Sequence, residues 1–249
     1  MHIAPCERDS SVPRLLGLRQ GGAASIHTPA DVIERVEHKE SEAFAADAVR
    51  AVTYCNAEGA SLAKTLGSIV PSTALDPAAV CRLYRAKRRD ARKALLLLTQ
   101  GAEDAERYGR INPVAAQLIE AFWPGFLEVI VEKRASVPDV VTAGRETVLL
   151  ACIPDLGYAL AQGAGGPIVA SSANRTGTPP ALDMTDVYAF AQQADEPIGA
   201  VIEGGISPWN RPTTIVDTCA TSPVIVRAGI VDERAIRKVI PDVLVKPTG

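Results

Sequence analysis

Apolar positions along the chain recur in two periods. After Thr28-Pro29, which supplies an N-cap and a first-turn proline, Val32, Ile33 and Val36 stand at helical spacing, and a second helical stretch covers roughly Ser41 to Val52. Residues 1 to about 27, with Gly21-Gly22, prolines, serines and little periodicity, read as a loosely packed lead-in. From Gly59 onward helix and strand patterns alternate. Asp76-Pro77 opens a helix with Val80, Leu83 and Tyr84 on one stripe, and Ala94 to Thr99 is a buried-strand run. Asn112-Pro113 caps a helix that runs through Phe122 and is followed by a strand around Leu127 to Val131. Thr147 to Ile153 reads as strand, Asp155 to Gln162 as helix, Pro167 to Ala173 as strand and Thr185 to Gln193 as helix. Val201, Thr213 to Val216 and Val224 to Arg227 read as strands, and Asp232 caps a closing helix to Ile240.

This order predicts an α/β fold, a twisted and mostly mixed open sheet flanked by helices, because the last strands have no helices between them. An N-terminal lead-in and helical extension over residues 1–54, one α/β domain over 55–240 and a tail at 241–249 are the expected divisions. The length of 249 residues fits one large domain with an extension, at about 100 to 200 residues per domain.

Composition narrows the class. Apolar residues make up 47% and charged residues 22%, which excludes a collagenous or disordered chain. No apolar run approaches the roughly 20 residues that cross a bilayer, and the N-terminus lacks a basic segment followed by an apolar stretch. A cytoplasmic protein without a membrane partner is therefore expected. Five scattered cysteines without a Cys-x-x-Cys pair argue against a disulfide framework or zinc cluster and for buried, reduced thiols. All three histidines precede residue 40, so the remainder cannot build an imidazole-based catalytic centre by itself. No catalytic residue and no metal ligand can be assigned from these patterns.

Two segments carry candidate chemistry. Between Arg82 and Lys93 stand seven basic residues against one acid, Asp90, in a chain whose net charge is −3. Such a run is either a solvated helix face or the seat of an anion, and phosphate is the natural candidate because arginine offers planar paired donors and lysine a compact charge. The second segment, Pro167 to Pro180, runs from an apolar strand into Ser171, Ser172 and Asn174. Small hydroxyl and amide groups at a strand end suit a nucleotide, although Asn, Gly and Pro also make ordinary turns. Neither a Gly-x-x-x-x-Gly-Lys-Ser/Thr loop nor a Gly-x-Gly-x-x-Gly fingerprint is present, so a nucleotide would bind by another device.

Four ordered segments, Leu75 to Arg89, Trp123-Pro124-Gly125, Pro167 to Gly177, and Pro212 to Asp217 followed by Arg227-Ala228-Gly229, resemble the YrdC-like family of threonylcarbamoyl-adenylate synthases. The resemblance spans roughly residues 59 to 240. It implies a twisted α/β fold around a positively charged cavity, and a reaction joining threonine, bicarbonate and ATP, with Mg²⁺, into threonylcarbamoyl-adenylate for a tRNA modification. By position it assigns nucleotide or phosphate binding to Lys87, Arg89, Lys93, Ser172, Asn174, Thr213, Thr214 and Arg227.

The chain also departs from the family pattern. The family's Pro-Thr-Asp-Thr-Val-Tyr-Gly strand is replaced by Leu62 to Ile69, which makes Lys64 and Thr65 candidates for the substrate pocket together with Cys152, where Cys152-Ile153-Pro154 replaces Arg-x-Pro. Glu128 replaces the threonine of Pro-Gly-Pro-Leu-Thr. Two other functions therefore stay open: a relative that makes or uses a different carbamoyl- or acyl-adenylate from another amine, and a non-catalytic module that binds RNA through Arg82 to Lys93.

Overall fold

The computed structural model describes residues 24–26, 50–52, 64–68, 77–153, 161, 166–179, 181, 184–195, 200–202 and 212–246. Its strands are β1 (Ala24–Ile26), β2 (Arg50–Val52), β3 (Lys64–Ser68), β4 (Leu96–Leu98), β5 (Gly109–Arg110), β6 (Leu127–Lys133), β7 (Thr147–Ala151), β8 (Ile168–Ser172), β9 (Ala200–Ile202), β10 (Thr214–Asp217), β11 (Val224–Arg227) and β12 (Leu244–Val245). The helices are α1 (Pro77–Lys87), α2 (Ala102–Ala105), α3 (Pro113–Phe122), α4 (Asp139–Thr142), α5 (Met184–Gln193) and α6 (Glu233–Val239).

Ten of these strands form one sheet in the order β12-β11-β10-β6-β7-β4-β8-β3-β2, with β5 beside β6, while β1 and β9 pair separately. The sheet is mixed, as expected: β10–β6 and β4–β7 are parallel, whereas β6–β7, β4–β8 and β3–β8 are antiparallel. Register is continuous across the middle of the sheet, and side chains alternate between its faces. One face holds Leu97, Val129, Leu150, Val169 and Val216, all buried in the main core with Leu83 of α1, Leu118 of α3 and Ile236 of α6. The other face holds Glu128, Leu149, Ile215 and Ser172, and there Ile130, Leu149 and Ile215 are half-buried. On this same face Leu96, Leu98, Ile168 and Ala170 are buried, so only its part around Ile130, Leu149 and Ile215 and the strand end at Ser172 reach solvent, and a ligand would lie there.

Local sequence explains the helices that position this face. In α1, Val80, Leu83 and Tyr84 bury the expected stripe. The helix stops at Arg88, whose φ of 47° is left-handed; its amide bonds the Arg85 carbonyl at 3.0 Å, and the next amide, of Arg89, reaches back to the Tyr84 carbonyl at 2.8 Å. That pair of bonds is a Schellman stop, formed here with an arginine in the position glycine usually takes. Asn112 caps α3, accepting from the Ala115 amide at 2.8 Å, and its own amide donates to the Thr218 carbonyl at 2.9 Å, tying the helix start to the end of β10. Asp232 caps α6 through the Ala235 amide at 2.7 Å.

Several expectations need correction. The helix expected to end at Val52 has Arg50–Val52 as a strand, because Val52 pairs with Leu66 in the sheet and tertiary pairing overrides local helical pattern. The lead-in contains β1, paired in parallel with Ala200–Ile202, and the tail contains β12, paired with β11. The helices expected at 29–36 and 41–49 lie outside the described residues, as does the helix expected over 155–162 except for Ala161, which is helical. The cysteines are not uniformly buried thiols: Cys152 is buried and free and Cys219 exposed and free, whereas Cys81 is disulfide-bonded. No described helix is long and apolar enough to cross a membrane.

Candidate nucleotide site on the open face

The stop at Arg88 delivers two cations to the end of β8. Lys87 is 1% exposed, and its Nζ donates to the Ser172 carbonyl, to the Asn174 carbonyl at 2.9 Å and to Asn174 Oδ1 at 3.2 Å. The ring of Phe190, from α5, lies beneath the ammonium at 5.6 Å. Burial, and secondarily the positive charge of Arg89, lower the Lys87 pKa from its ordinary 10.5 to about 7. Asn174 is fixed in turn, with Oδ1 accepting from the Ser172 hydroxyl at 2.6 Å and Nδ2 donating to the Thr178 carbonyl at 2.6 Å. Arg89 spreads over the Lys93 carbonyl at 3.0 Å, the Ala94 carbonyl at 2.5 Å and the Ser171 hydroxyl at 3.3 Å.

Lys87, Arg89, Ser172 and Asn174, read from two distant stretches of sequence, are thus one cluster. Backbone register adds Lys64 opposite Ser172 and Thr65 opposite Ser171. The Lys93 side chain is exposed, and its carbonyl accepts from Arg89 and from the Tyr84 hydroxyl. The wider basic run is not a free cationic face: Arg88 pairs with Asp195 and Arg92 with Asp90, both at 2.7 Å.

A second cluster forms at the opposite end of the strands, on the same face. Glu128 of β6, Ile215 of β10 and Arg227 of β11 share one row, with Thr213 two residues before Ile215. The Thr213 hydroxyl donates to Glu128 Oε1, and Arg227 Nη2 reaches Thr213 Oγ1 at 2.6 Å and Glu128 Oε1 at 3.2 Å. Thr214 belongs to the other face, where its hydroxyl donates to the Val231 carbonyl at 2.6 Å. Gly229 lies against this cluster so closely that a Cβ there would meet the Pro212 oxygen at 2.3 Å and the Thr213 carbonyl carbon at 2.5 Å.

Cys152, one residue past β7, is completely buried, and its carbonyl accepts from the Gly125 amide at 2.8 Å. Burial, followed by the charge of Asp104, raises its thiol pKa to about 11, so the thiol is neutral near pH 7. Among the described residues no group of three or more His, Cys, Asp or Glu is placed to hold a metal. The Lys87 cluster contributes no carboxylate and Glu128 is engaged by Arg227, so the described side chains of the two clusters do not fit Mg²⁺.

Ser171, expected with Ser172 and Asn174 at the strand end, accepts from Arg89. Sequence reasoning did not find Phe190, which carries no local signal and is recognised through its contact with Lys87 in the folded chain.

The family model Sua5_yciO_yrdC, described as "Telomere recombination", matches residues 69–229. The chain belongs to the Sua5/YciO/YrdC family. It is 30% identical over 178 residues to the threonylcarbamoyl-AMP synthase of Pyrococcus abyssi, covering 71% of this chain and 52% of the relative, so the match spans about half the length of that protein. The threonylcarbamoyl-AMP synthase of Alkalilimnicola ehrlichii is 33% identical over 159 residues, with 61% of this chain and 80% of the relative covered. The fold resembles the crystal structure of P. abyssi Sua5 complexed with L-threonine, with a TM-score of 0.74, 24% identity, and 90% of this chain and 62% of that chain covered. E. coli YciO has the same fold, with a TM-score of 0.66, 19% identity, and 85% and 97% covered.

Proposed function

We infer that this chain carries the adenylate-forming site of a threonylcarbamoyl-AMP synthase, acting in the cytoplasm on ATP, threonine and bicarbonate. The observation that carries the reading is the convergence of Lys87 on Ser172 and Asn174, 85 and 87 positions away in sequence, next to Arg89. The phosphates of ATP lie at this cluster. Lys87, poised near neutrality, gains a proton as they arrive, because an anion favours the ammonium form. Arg89 supplies a fixed charge, and the Ser172 and Asn174 turn supplies neutral polar ligands. The amine of threonine forms a bond to the carbon of bicarbonate as a C–O bond breaks and water leaves, and an oxygen of the resulting carbamate attacks the α-phosphorus. The new O–P bond forms as the bond to the bridging oxygen breaks, and pyrophosphate leaves with the electron pair. Positive charge at Lys87 and Arg89 stabilises the negative charge that develops on that leaving group, with no need of an imidazole base.

A second reading keeps the nucleotide chemistry and changes the amine. It is favoured by the Glu128–Arg227 pair, in which a carboxylate offsets the arginine, and by the buried, neutral thiol of Cys152 where the family pattern has an arginine. Pyrophosphate release from ATP, measured with bicarbonate and each of a panel of amino acids, separates the two. Release dependent on threonine supports the first reading, release with another amine the second, and no nucleotide binding at all refutes both.

A further inference from the structure

Glu128 occupies a strand position where it is 2% exposed, between the core residues Leu127 and Val129. An acid there needs partners to offset its lost hydration. Thr213 donates its hydroxyl to Oε1 and Arg227 Nη2 lies 3.2 Å from the same oxygen, while Arg227 Nε holds the Thr213 carbonyl at 2.9 Å. The two charges differ in setting: the Glu128 side chain is sealed, whereas the Arg227 side chain is 42% exposed and borders the open face. A guanidinium so placed is by its chemistry a ligand for phosphate or carboxylate. Here a carboxylate built into the sheet already engages it, and its charge offsets that of the guanidinium.

We propose that Glu128 is a specificity-determining residue of the open face: by binding Arg227 and Thr213 it offsets the charge of the arginine, so that the site takes a ligand with its anionic groups at the Lys87 corner and an uncharged, hydrogen-bonding group at this one. The placement of the anionic end rests on the function proposed above; the neutralisation of Arg227 does not. Removing the carboxylate's charge leaves a cation that water already reaches, so the freed arginine becomes an anion site rather than a buried, unpaired charge.

The test is a double-mutant cycle in the full chain, read by calorimetric titration with inorganic pyrophosphate at fixed low salt. Glu128→Gln keeps the side chain's shape and is expected to tighten pyrophosphate binding by about tenfold, the scale of one charge-assisted contact, and Arg227→Gln in the same chain is expected to abolish that gain. Glu128→Thr, smaller and equally uncharged, should act in the same direction, and circular dichroism with thermal melting establishes that each variant is folded. Unchanged or weaker pyrophosphate binding by the folded variants overturns the proposal, as does a gain that survives Arg227→Gln. Failure of both Glu128 variants to fold also overturns it, since the carboxylate is then structural alone. Absence of ATP binding by the unaltered chain would instead refute the proposed function, while the pyrophosphate cycle still decides the role of Glu128.

Discussion

The Nζ of Lys87 lies 2.9 Å from the carbonyl oxygen of Asn174, so a cation at the end of α1 holds the turn that follows β8. It is at once a structural strut and the candidate phosphate ligand. Lys87→Met retains the stem and removes the donors, leaving the Ser172 and Asn174 oxygens without this partner. We expect ATP affinity to fall by about tenfold or more, since hydrogen bonds to charged groups are worth about 1.5 to 3 kcal/mol. Calorimetry on Lys87→Met and Arg89→Ala checks this; affinities equal to the unaltered chain would reject the assignment.

The same lysine makes stability depend on pH. Its pKa of about 7 in the folded chain lies below the ordinary 10.5, so between these values the unfolded chain binds the extra proton. Stability therefore rises with pH above about 7, with a slope of at most about 1.4 kcal/mol per pH unit, and the destabilisation is fully present below 7. Urea unfolding at pH 6.5 and 8.5 should show the rise in the unaltered chain and a flatter response in Lys87→Met. An identical response in both would place the titration elsewhere.

Much of this arrangement is legible in the sequence, for reasons that differ from residue to residue. The stripe Val80, Leu83, Tyr84 and the caps Asn112 and Asp232 act within a few residues of themselves, and the structure keeps them. Strand β2 is not legible, because its pairing with β3 depends on residues more than ten positions away. The elements α2, α4 and β5 are too short to display a period. The basic run was legible as charge but not as geometry: burial of Lys87 and the pairing of Arg88 with Asp195 follow from where α1 ends and how α5 packs beside it. Of the adjacent threonines, strand alternation sends Thr213 to the open face and Thr214 to the core side, a division that a motif match cannot supply.

Gly229 makes the second cluster sensitive to one methyl group. A Cβ there would lie 2.3 Å from the Pro212 oxygen and 2.6 Å from the Thr213 oxygen, both backbone atoms that cannot swing aside. Gly229→Ala should displace Thr213 from Glu128 and Arg227 and destabilise the fold by about 1 to 3 kcal/mol, the range for overpacking. Chemical denaturation measures the loss, and an unchanged midpoint would show that the strand end yields freely.

Asn112 ties α3 to β10 from both ends of its amide. Asn112→Ala removes the cap and the Thr218 link together, with an expected cost of about 1 to 2 kcal/mol. Asn112→Asp keeps the cap acceptor but not the donor to Thr218, so it should fall between the two. Urea midpoints for the three chains test the order, which fails if Asp is as damaging as Ala.

Cys152 occupies a place where an arginine has no room to be hydrated. Its side chain is completely buried, and its carbonyl anchors the Gly125 amide beside Leu127, so the backbone is held from the neighbouring strand. Burial raises the thiol to about 11, which makes it unreactive near neutrality. Two results follow. The thiol of Cys219 is raised to about 11 as well, by burial and then the charge of Asp217, so the two differ in access rather than in acidity: in the native chain a thiol reagent at pH 7.5 should modify the exposed Cys219 slowly and leave Cys152 untouched until unfolding, as read by peptide mass analysis. Cys152→Arg should destabilise by about 3 to 5 kcal/mol, the scale of a buried charge without a full partner, whereas Cys152→Ala, losing one sulfur's packing, should cost far less. If Cys152→Arg instead folds with undiminished stability and raises threonine-dependent pyrophosphate release, then position 152 opens onto the substrate and the thiol is a functional replacement rather than core.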